Sequence, residues 1–309
     1  MKVLVTGAAG YVGSVLTGLL LENGYQVVGL DNLMFGGQGL LRHFRNENFE
    51  FVKGDVRNES TVREAAKECD VVIHLAAIVG YPACRDNPKL ATDVNLNGTV
   101  SVLGAAMDYG QRSVIFASTQ SVYGKVEDTA TEDTPTNPLS LYAETKEIGE
   151  DRVLCESPGV VLRFPTAFGL SPRMRLDLLV NDFVYKAITD CYLVVYQPHF
   201  MRSFLHVYDL ARAYLFTLQH LSEMTGQIYN VGSDQLNFTK RQLCETIQQE
   251  TKCAVFYEDF DQDLDKRNYS ISCEKIARLG YEATISLEDG VKELVRGIPV
   301  LSTRGYANA

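Results

Sequence analysis

The sequence predicts an α/β fold built around a parallel sheet, and three observations lead to this fold class. In the first half of the chain, short apolar runs alternate with segments of helical periodicity, as in strands that helices cover on both faces. A glycine-rich turn follows the first apolar run. After Phe164 the alternation gives way to longer connections. We therefore predict a doubly wound parallel sheet over residues 1–164 and a smaller C-terminal substrate-binding lobe over residues 165–309, part of which returns to the first domain.

The predicted elements of the first domain alternate in type along the chain. Strands are expected at residues 2–6, 26–30, 49–54, 71–75, 113–118 and 160–163. Helices are expected at residues 11–22, 59–69, 89–109 and 140–155, with a polar loop from residue 119 to about Pro138. In the C-terminal lobe, helices are expected at residues 178–187, 208–221, 239–250 and 287–296. Strand and helix in regular succession form the unit from which a doubly wound sheet is built.

Composition and charge exclude several classes of protein. The net charge of −10 gives a surface that repels a phosphate backbone, so no nucleic acid partner is expected. No apolar run reaches the length of about 18 residues that a membrane-spanning helix requires, so no membrane association is expected. The seven cysteines form no CxxC pair, so neither a disulfide framework nor a metal site is expected. We recognise no signal peptide before the first strand and expect a cytoplasmic protein.

The first strand runs into a glycine motif of the type that binds dinucleotides. Gly7, Gly10 and Gly13 lie between the predicted strand and helix at GxxGxxG spacing. The first glycine allows a tight turn, the second lets the backbone approach a pyrophosphate, and the third lets helix and strand pack closely. The pyrophosphate would lie at the helix N-terminus. A glycine turn without a ligand is the alternative, and the position between strand and helix argues against it.

Two carboxylates extend this candidate site. Asp31 ends the second strand, where a carboxylate accepts hydrogen bonds from ribose hydroxyls and repels a 2′-phosphate. This position favours NAD over NADP as the cofactor. Asp55 and Val56 follow the third strand and are expected at the adenine, and a cap of the next helix is the alternative role for Asp55.

A tyrosine and a lysine in the predicted helix 140–155 form a candidate acid–base pair. Tyr142 and Lys146 are four residues apart and therefore share one helix face. A phenol has a reference pKa of about 10, and a neighbouring ammonium group favours its anionic form. Ser118 and Thr119 follow the fifth strand at the same sheet edge and can hold a substrate hydroxyl near the phenolate. A surface Tyr–Lys pair is the alternative, which the order of the motifs along the chain disfavours.

Together these motifs resemble the extended short-chain dehydrogenases/reductases of the nucleotide-sugar epimerase/dehydratase family. The matching segments are TGAAGYVG from Thr6, DNL from Asp31, GDV from Gly54, HLAA from His74, VNLNGT from Val94, STQSVYG from Ser118, YAETK from Tyr142 and RSFLHVYDLA from Arg202. They span nearly the whole chain. The resemblance implies NAD as cofactor and a nucleoside-diphosphate sugar as substrate, and we expect a homodimer.

The resemblance also implies roles for individual residues. Tyr142 is the expected base, Lys146 its cation and the anchor of a ribose, and Thr119 the hydroxyl partner. The expected cofactor-binding residues are Gly7, Gly10, Tyr11, Val12, Gly13, Asp31, Asn32, Asp55, Val56, Leu75, Ala76, Ala77, Tyr142 and Lys146. The expected substrate-binding residues are Ser118, Gln120, Thr166, Arg173, Arg175, Asn181, Arg202 and Arg267. A guanidinium suits a diphosphate because it donates two parallel hydrogen bonds; for Arg173 and Arg175, ion pairs with nearby aspartates are the alternative.

Departures from the family pattern bear on the reaction. Dehydratases of the family carry an Asp–Glu pair after the catalytic threonine, and decarboxylases carry a glutamate at the second position, where this chain has Gln120 and Ser121. An amide and an alcohol cannot serve as that acid and base. We therefore predict a 4-epimerase that acts through a 4-keto sugar. The alternatives are a net 4-dehydrogenase, favoured by a local resemblance of residues 171–183 to GDP-heptose 4-dehydrogenases, a dehydratase with a relocated acid and base, and a non-catalytic NAD-binding sensor.

Overall fold

The computed structural model of the chain describes residues 1–110, 112–258 and 268–301. Its strands, in chain order, are β1 (Lys2–Thr6), β2 (Gln26–Asp31), β3 (Phe49–Lys53), β4 (Val71–His74), β5 (Ser113–Thr119), β6 (Lys125–Ala130), β7 (Val160–Phe164), β8 (Thr166–Phe168), β9 (Tyr192–Tyr196), β10 (Met201–His206), β11 (Gln227–Asn230), β12 (Asn237–Thr239), β13 (Ala254–Glu258) and β14 (Asn268–Ile271). The helices are α1 (Tyr11–Glu22), α2 (Glu59–Ala66), α3 (Tyr81–Asp86), α4 (Pro88–Thr92), α5 (Gly98–Asp108), α6 (Leu141–Glu156), α7 (Leu179–Thr189), α8 (Val207–Gln219), α9 (Leu221–Met224), α10 (Lys240–Thr251), α11 (Glu274–Ala277) and α12 (Leu287–Gly297). Within these ranges, no helix has the length and apolar composition that a bilayer span requires.

Seven of the described strands form one parallel sheet in the order β11-β7-β5-β4-β1-β2-β3. Strand β1 lies between β2 and β4, with Val5 opposite Gly29 on one side and Ile73 on the other. The chain moves outward from β1 in both directions, which confirms the predicted doubly wound sheet of the Rossmann type. In such folds ligands bind in the crevice outside the carboxyl ends of the strands, where the strand order reverses. Here that crevice lies at the ends of β1 and β4.

Successive side chains of the central strand enter two different apolar cores. Val3 and Val5 of β1 pack in a core that includes residues of α1 and α8. Leu4, between them, packs in a second core with residues of α2 and α5. Both faces of the sheet are therefore buried, which explains why its strands are nearly continuous apolar runs in the sequence.

Most elements after β7 lie outside the large sheet. Strands β8, β10 and β12 form a small mixed sheet, and β9 pairs with β13. A third apolar core, which includes Val184, Phe204 and Leu294, packs α7, β10 and α12 together. Strand β11 instead pairs with β7 at the edge of the large sheet.

Two segments differ from the elements that the sequence predicts. The region predicted as a loop after residue 118 contains β6, which pairs with the distant β14. Strand β6 has the polar sequence KVEDTA, so its local pattern carries no strand signal. The helix predicted at 89–109 is divided by a π-helical turn, Asp93–Asn97. In that turn the amide of Asn95 bonds both backbone groups of Ile78, at 2.8 and 3.1 Å, a tertiary contact that helical periodicity does not reveal.

Candidate active site

The glycine motif forms the turn between β1 and α1. Gly7 has a φ of +72°, and its backbone N donates to Leu30 O at 2.8 Å. A Cβ atom on Gly13 would lie 2.0 Å from Gly7 O, so only glycine fits where the helix passes the turn. Helix α1 begins at Tyr11, and Gly10 at its N-cap provides no side-chain cap. The first amide groups of α1 are therefore available as donors to an anion.

Asp31 lies at the end of β2, beside the glycine turn. Its carboxylate accepts hydrogen bonds from the backbone N of Ala9 at 3.0 Å and from the backbone N of Leu33 at 2.7 Å. Burial raises the pKa of this carboxyl group, while the two hydrogen bonds and the charge of Arg173 act to lower it. Asp31 lines the cleft, where a carboxylate accepts hydrogen bonds from ribose hydroxyls.

Asp55 lines the same end of the cleft, and hydrogen bonds hold its charged carboxylate in place. Arg57 donates to its two carboxylate oxygens, each at 2.8 Å, and Asn32 donates at 3.2 Å. The hydrogen bond from Arg57 is the largest of the effects that hold the pKa of Asp55 well below its usual range. The cap of the next helix, α2, is Asn58, whose side chain accepts from Thr61 N. Asp55 is therefore not the helix cap.

Tyr142 and Lys146 lie on successive turns of α6, and both line the cleft. The helix begins after Ser140, whose hydroxyl accepts a hydrogen bond from Ala143 N at 3.3 Å. Tyr142 is thus in the first turn, where the helix dipole favours an anion. Thr119, at the end of β5, lines the same cleft. The structure therefore brings the phenol, the ammonium group and the hydroxyl to one place.

The ammonium group of Lys146 is buried against an aromatic ring. Its Nζ atom lies 4.8 Å from the centroid of Phe116, and no residue in the described part of the chain offers it a hydrogen-bond acceptor. Burial lowers the pKa of Lys146 to about 8, although the charges of Cys84 and Glu150 act to raise it. A buried cation without an acceptor in the protein is suited to bind ligand hydroxyls, as a ribose anchor must.

A buried carboxylate of α6, Glu150, is hydrogen-bonded to the end of β5 and ion-paired with β7. Ser118 donates to the carboxylate of Glu150, which also accepts three hydrogen bonds from Arg163 at 2.6–3.1 Å. The side chains of Glu150 and Arg163 are only 2% and 4% exposed. Neither residue is among those that the sequence predicts for the site. The sequence does contain a signal for Glu150, because this residue follows Lys146 by four positions and so lies on the same helix face.

Most residues that the sequence predicts for the site line one cleft. They are Gly7, Gly10, Tyr11, Val12, Gly13, Asp31, Asn32, Asp55, Val56, Leu75, Ala76, Ala77, Ser118, Thr119, Tyr142, Lys146, Thr166, Arg173 and Arg175. The cleft is also lined by Leu210 and Tyr214 of α8 and by Met34 and Phe35 after β2, which the sequence analysis did not include. Packing of α8 against α1 brings in the first two, and no local motif marks such a contact.

Two predicted substrate-binding residues point elsewhere. Gln120 is fully buried, and its Nε2 donates to Val231 O at 3.1 Å. Asn181 is fully buried too: its Oδ1 accepts from Gly169 N at 3.0 Å and its Nδ2 donates to Arg175 O at 2.8 Å. Neither side chain lines the cleft. Both side-chain amides instead bond backbone groups that no helix or strand satisfies. The prediction that Gln120 and Asn181 bind the substrate is therefore wrong.

The four predicted arginines have different surroundings. The side chain of Arg202 is buried, is absent from the lining of the cleft, and donates to Met201 O at 3.0 Å. Arg267 lies outside the described residues. Arg175 lines the cleft and donates to Asp177 at 3.1 Å, the ion pair considered as the alternative from the sequence.

Arg173 lines the cleft beside a residue of the loop that follows β2. Its Cζ atom lies 4.4 Å from the ring centroid of Phe35, and its charge interacts with that of Asp31. Of these two neighbours, Asp31 is a residue that the sequence assigns to the cofactor, and Phe35 follows it by four residues.

In the described ranges, no group of three or more His, Cys, Asp and Glu side chains could hold a metal ion.

His74 is a buried polar side chain that serves the fold. His74 contacts Thr6 at 2.7 Å and Thr99 at 3.1 Å, and burial lowers its pKa to about 3. The hydroxyl of Thr99 donates to Asn95 O, so His74 is neutral and donates to Thr99 through Nε2.

Comparison with known proteins identifies the family. The profile of the NAD dependent epimerase/dehydratase family matches residues 3–232, and the chain belongs to this family. The chain is 28% identical over 309 residues to the UDP-glucuronate 4-epimerase of Thermodesulfobacterium geofontis, with 94% of each chain covered.

Solved structures extend the likeness to the three-dimensional level. The UDP-glucuronic acid 4-epimerase of Bacillus cereus, in complex with UDP-glucuronic acid and NAD, is 26% identical and superimposes with a TM-score of 0.86, covering 97% of this chain and 99% of its own. A dTDP-glucose 4,6-dehydratase of Streptomyces venezuelae, solved with NAD, is 27% identical with a TM-score of 0.87, covering 99% of each chain. Relatives that share this fold therefore divide between two reactions.

NAD is the cofactor of this enzyme family, and the residues of the cleft fit it. The uncapped turn at Gly10 offers amide donors for a diphosphate, and Asp31 offers a carboxylate for a ribose. Lys146 offers a buried ammonium group that has no acceptor among the described residues. Each of these groups matches a different chemical part of the dinucleotide.

Proposed function

We propose that the protein is an NAD-dependent 4-epimerase of a nucleoside-diphosphate sugar. One observation carries the proposal: the two residues after Thr119, where dehydratases carry an acid and a base, are an amide inside the core and an alcohol at the cleft. Gln120 holds the backbone of Val231 from within the core. Ser121 accepts a hydrogen bond from Thr119 at 2.9 Å and donates from its own backbone N to Thr119 at 3.2 Å. Neither residue supplies an acid or a base for loss of water or carbon dioxide.

The proton transfer is assigned to Tyr142. As the phenolate, it takes the proton of the sugar 4-hydroxyl, and Lys146 one turn later on the same helix face stabilises the negative charge. Thr119, which lines the same cleft, is assigned to hold the reacting hydroxyl. NAD, when bound, accepts the hydride from C4 and can return it. Loss of that hydride and of the hydroxyl proton leaves a 4-keto sugar.

Epimerisation follows when the 4-keto sugar takes the hydride back on its other face. Tyr142 then returns the proton to the C4 oxygen, so substrate and product have the same composition. No external oxidant is consumed in this cycle. Release of the ketone instead would give net oxidation and would leave the cofactor reduced, which distinguishes the 4-dehydrogenase alternative.

The nucleotide portion of the substrate is assigned to the C-terminal lobe. The relatives above are named for UDP and dTDP sugars, and the chain resembles them over nearly its full length. Arg175 supports this assignment because its guanidinium lines the cleft, where it pairs with Asp177. A guanidinium is suited to a diphosphate.

A panel of UDP, dTDP and GDP sugars tests the proposal. Mass spectrometry, absorbance of the reduced cofactor and NMR of the C4 configuration are read on each reaction. The expected result is a product of unchanged mass with inverted C4. Loss of two hydrogens would establish the 4-dehydrogenase, and loss of water or carbon dioxide would refute the assignment of residues 120 and 121. Tyr142→Phe is expected to be inactive, and Tyr208→Phe, a half-exposed tyrosine on α8, serves as the control.

The homodimer expected from the sequence has a candidate surface on two adjacent helices. Val100 and Met107 of α5 are 38% and 42% exposed and share one helix face, and Ile148 of the neighbouring α6 is 43% exposed. A second copy that places the same two helices here would bury all three side chains. Light scattering should show a dimer that Met107→Glu with Ile148→Glu converts to monomer. A monomeric wild-type protein would contradict the assignment.

A further inference from the structure

The segment of residues 169–175 is fastened to the helix of the glycine motif. Tyr11 OH donates to Gly169 O at 2.7 Å, and Ser171 Oγ donates to Tyr11 O at 2.6 Å. Asn181 of α7 donates to Tyr11 OH at 3.3 Å and to Arg175 O at 2.8 Å. The segment follows β8 in the C-terminal half of the chain, but Tyr11 attaches it to α1. The side chains it carries are therefore held in register with the cofactor side of the cleft.

Arg173 and its neighbour pack on the loop that follows β2. A Cβ atom on Gly39 would lie 3.3 Å from Pro172 Cβ, so the proline is in close contact with this loop. The next residue, Arg173, is only 7% exposed, and its guanidinium lies 4.4 Å above the ring of Phe35. Arg173, Phe35 and Asp31 all line the same cleft. The loop and the segment thus approach each other across the end of the cleft where Asp31 lies.

The charges at this end of the cleft favour a ligand with both hydroxyl and anionic groups. Asp31 accepts hydrogen bonds and carries a negative charge, while Arg173 donates and carries a positive charge. When a guanidinium stacks on an aromatic ring, its N–H donors point outward in a plane parallel to that ring. Burial and the charge of Arg175 lower the pKa of Arg173, and the charge of Asp31 acts to raise it. The pair is therefore electrostatically coupled across the two halves of the chain.

We propose that Arg173 binds the adenosine diphosphate half of NAD, and that Asp31 and Arg173 together set the preference for NAD over NADP. The carboxylate repels a 2′-phosphate. The guanidinium attracts one, and Asp31 masks that attraction in the wild-type protein. Removal of the carboxylate should therefore expose an existing phosphate-binding group. The inference rests on the NAD cofactor of the family and does not depend on which sugar is epimerised.

The first test separates the cofactor end from the substrate end. Protein stripped of nucleotide with charcoal is titrated calorimetrically with ADP-ribose and with whichever of UDP and GDP it binds more tightly. Arg173→Met should weaken ADP-ribose binding about tenfold, the loss of about 1.4 kcal/mol, and leave the nucleoside diphosphate unaffected. The opposite pattern would return Arg173 to the substrate. Failure of both UDP and GDP to bind would count against the proposed substrate class, while the ADP-ribose titration would still decide the role of Arg173.

Two further variants keep this test decisive. Arg152→Met is the matched control, because Arg152 is an exposed residue of α6 paired with Glu156. It should change neither titration. Phe35→Leu removes the aromatic platform at a partly exposed position, so it should fold and weaken ADP-ribose binding in the same direction as Arg173→Met. If Phe35→Leu and a folded Arg173→Met both bind ADP-ribose like the wild type, the proposal is wrong.

The second test is a double-mutant cycle read with NADPH fluorescence. Asp31→Asn should raise NADP(H) affinity about tenfold or more, since it removes a like charge from the 2′-phosphate. Asp31→Asn combined with Arg173→Met should lose that gain. If the double variant binds NADPH as tightly as Asp31→Asn alone, Arg173 is not the phosphate-binding group.

Discussion

The Nζ atom of Lys146 lies 4.8 Å from the ring centroid of Phe116, and the face of this ring partly compensates the buried positive charge. Helix α6 places the lysine, and β5 places the ring beneath it. The protein therefore keeps a cation in its interior for a ligand that supplies the missing acceptors. Such an arrangement costs stability in the cofactor-free state, and that cost can be measured.

Lys146→Met should stabilise the cofactor-free protein. Burial lowers the pKa of Lys146 from 10.5 to about 8, and one pKa unit corresponds to about 1.4 kcal/mol. The contact with Phe116 offsets on the order of 1 kcal/mol of this cost. We expect the free energy of unfolding at pH 7 to rise by about 2–3 kcal/mol in the variant, measured by urea denaturation, while NAD binding is lost.

The pH dependence of the same measurement provides an independent check. Between pH 8 and 10.5 the unfolded chain holds the Lys146 proton more strongly than the folded chain. The stability of the wild type relative to the variant therefore rises with pH across this window. Equal pH dependence of the two proteins would show that the lysine is not desolvated.

Tyr142→Phe should separate chemistry from binding. The phenol hydroxyl is the assigned acid–base group, and loss of such a group lowers turnover by about a hundredfold or more. The ring remains, so calorimetry should show NAD affinity close to that of the wild type. Wild-type turnover in this variant would exclude Tyr142 from the proton transfer.

Glu150 should act on the reaction through Lys146 and Ser118. The Glu150–Arg163 pair is almost fully buried, and removal of one partner of such a pair costs about 3–5 kcal/mol. Glu150 also raises the pKa of Lys146, so Glu150→Gln should move the alkaline limb of the kcat/KM profile to lower pH.

Glu150→Asp keeps the charge and should restore much of the alkaline limb even if stability stays reduced. A merely structural role for Glu150 would lower stability in both variants and leave the pH profile in place. The two substitutions therefore separate positioning of the catalytic groups from support of the fold.

The sequence predicts the parts of this molecule whose chemistry is local. The glycine turn, Asp31 and the Tyr142–Lys146 pair are motifs confined to a few neighbouring residues, and the structure brings them to one cleft. Strand β6 was missed because its partner, β14, lies far along the chain. No local pattern distinguishes a strand that forms only through such a contact.

The same reasoning explains why the side chains of Gln120 and Asn181 do not line the cleft. Gln120 and Asn181 were assigned to the substrate from their neighbours in the sequence, but each amide bonds backbone groups of a distant segment or a loop. For Arg173 the sequence predicts a place in the cleft, which the structure shows, but not its contact with Phe35. That contact depends on how residues 169–175 attach to α1, a tertiary contact made through Tyr11.

Gly13→Ala should disable the cofactor site through backbone contacts alone. The added Cβ would lie 2.0 Å from Gly7 O and 2.8 Å from the Cα of Ala8, and neither backbone atom can move without opening the turn. We expect a loss of about 1–3 kcal/mol in stability from overpacking and NAD binding weakened about tenfold or more. The matched control is Gly18→Ala in the same helix, where the nearest atom is the mobile guanidinium end of Arg42. That variant should bind NAD like the wild type. If both alanine variants weaken NAD binding equally, the effect comes from general disturbance of α1 and not from the turn at Gly7.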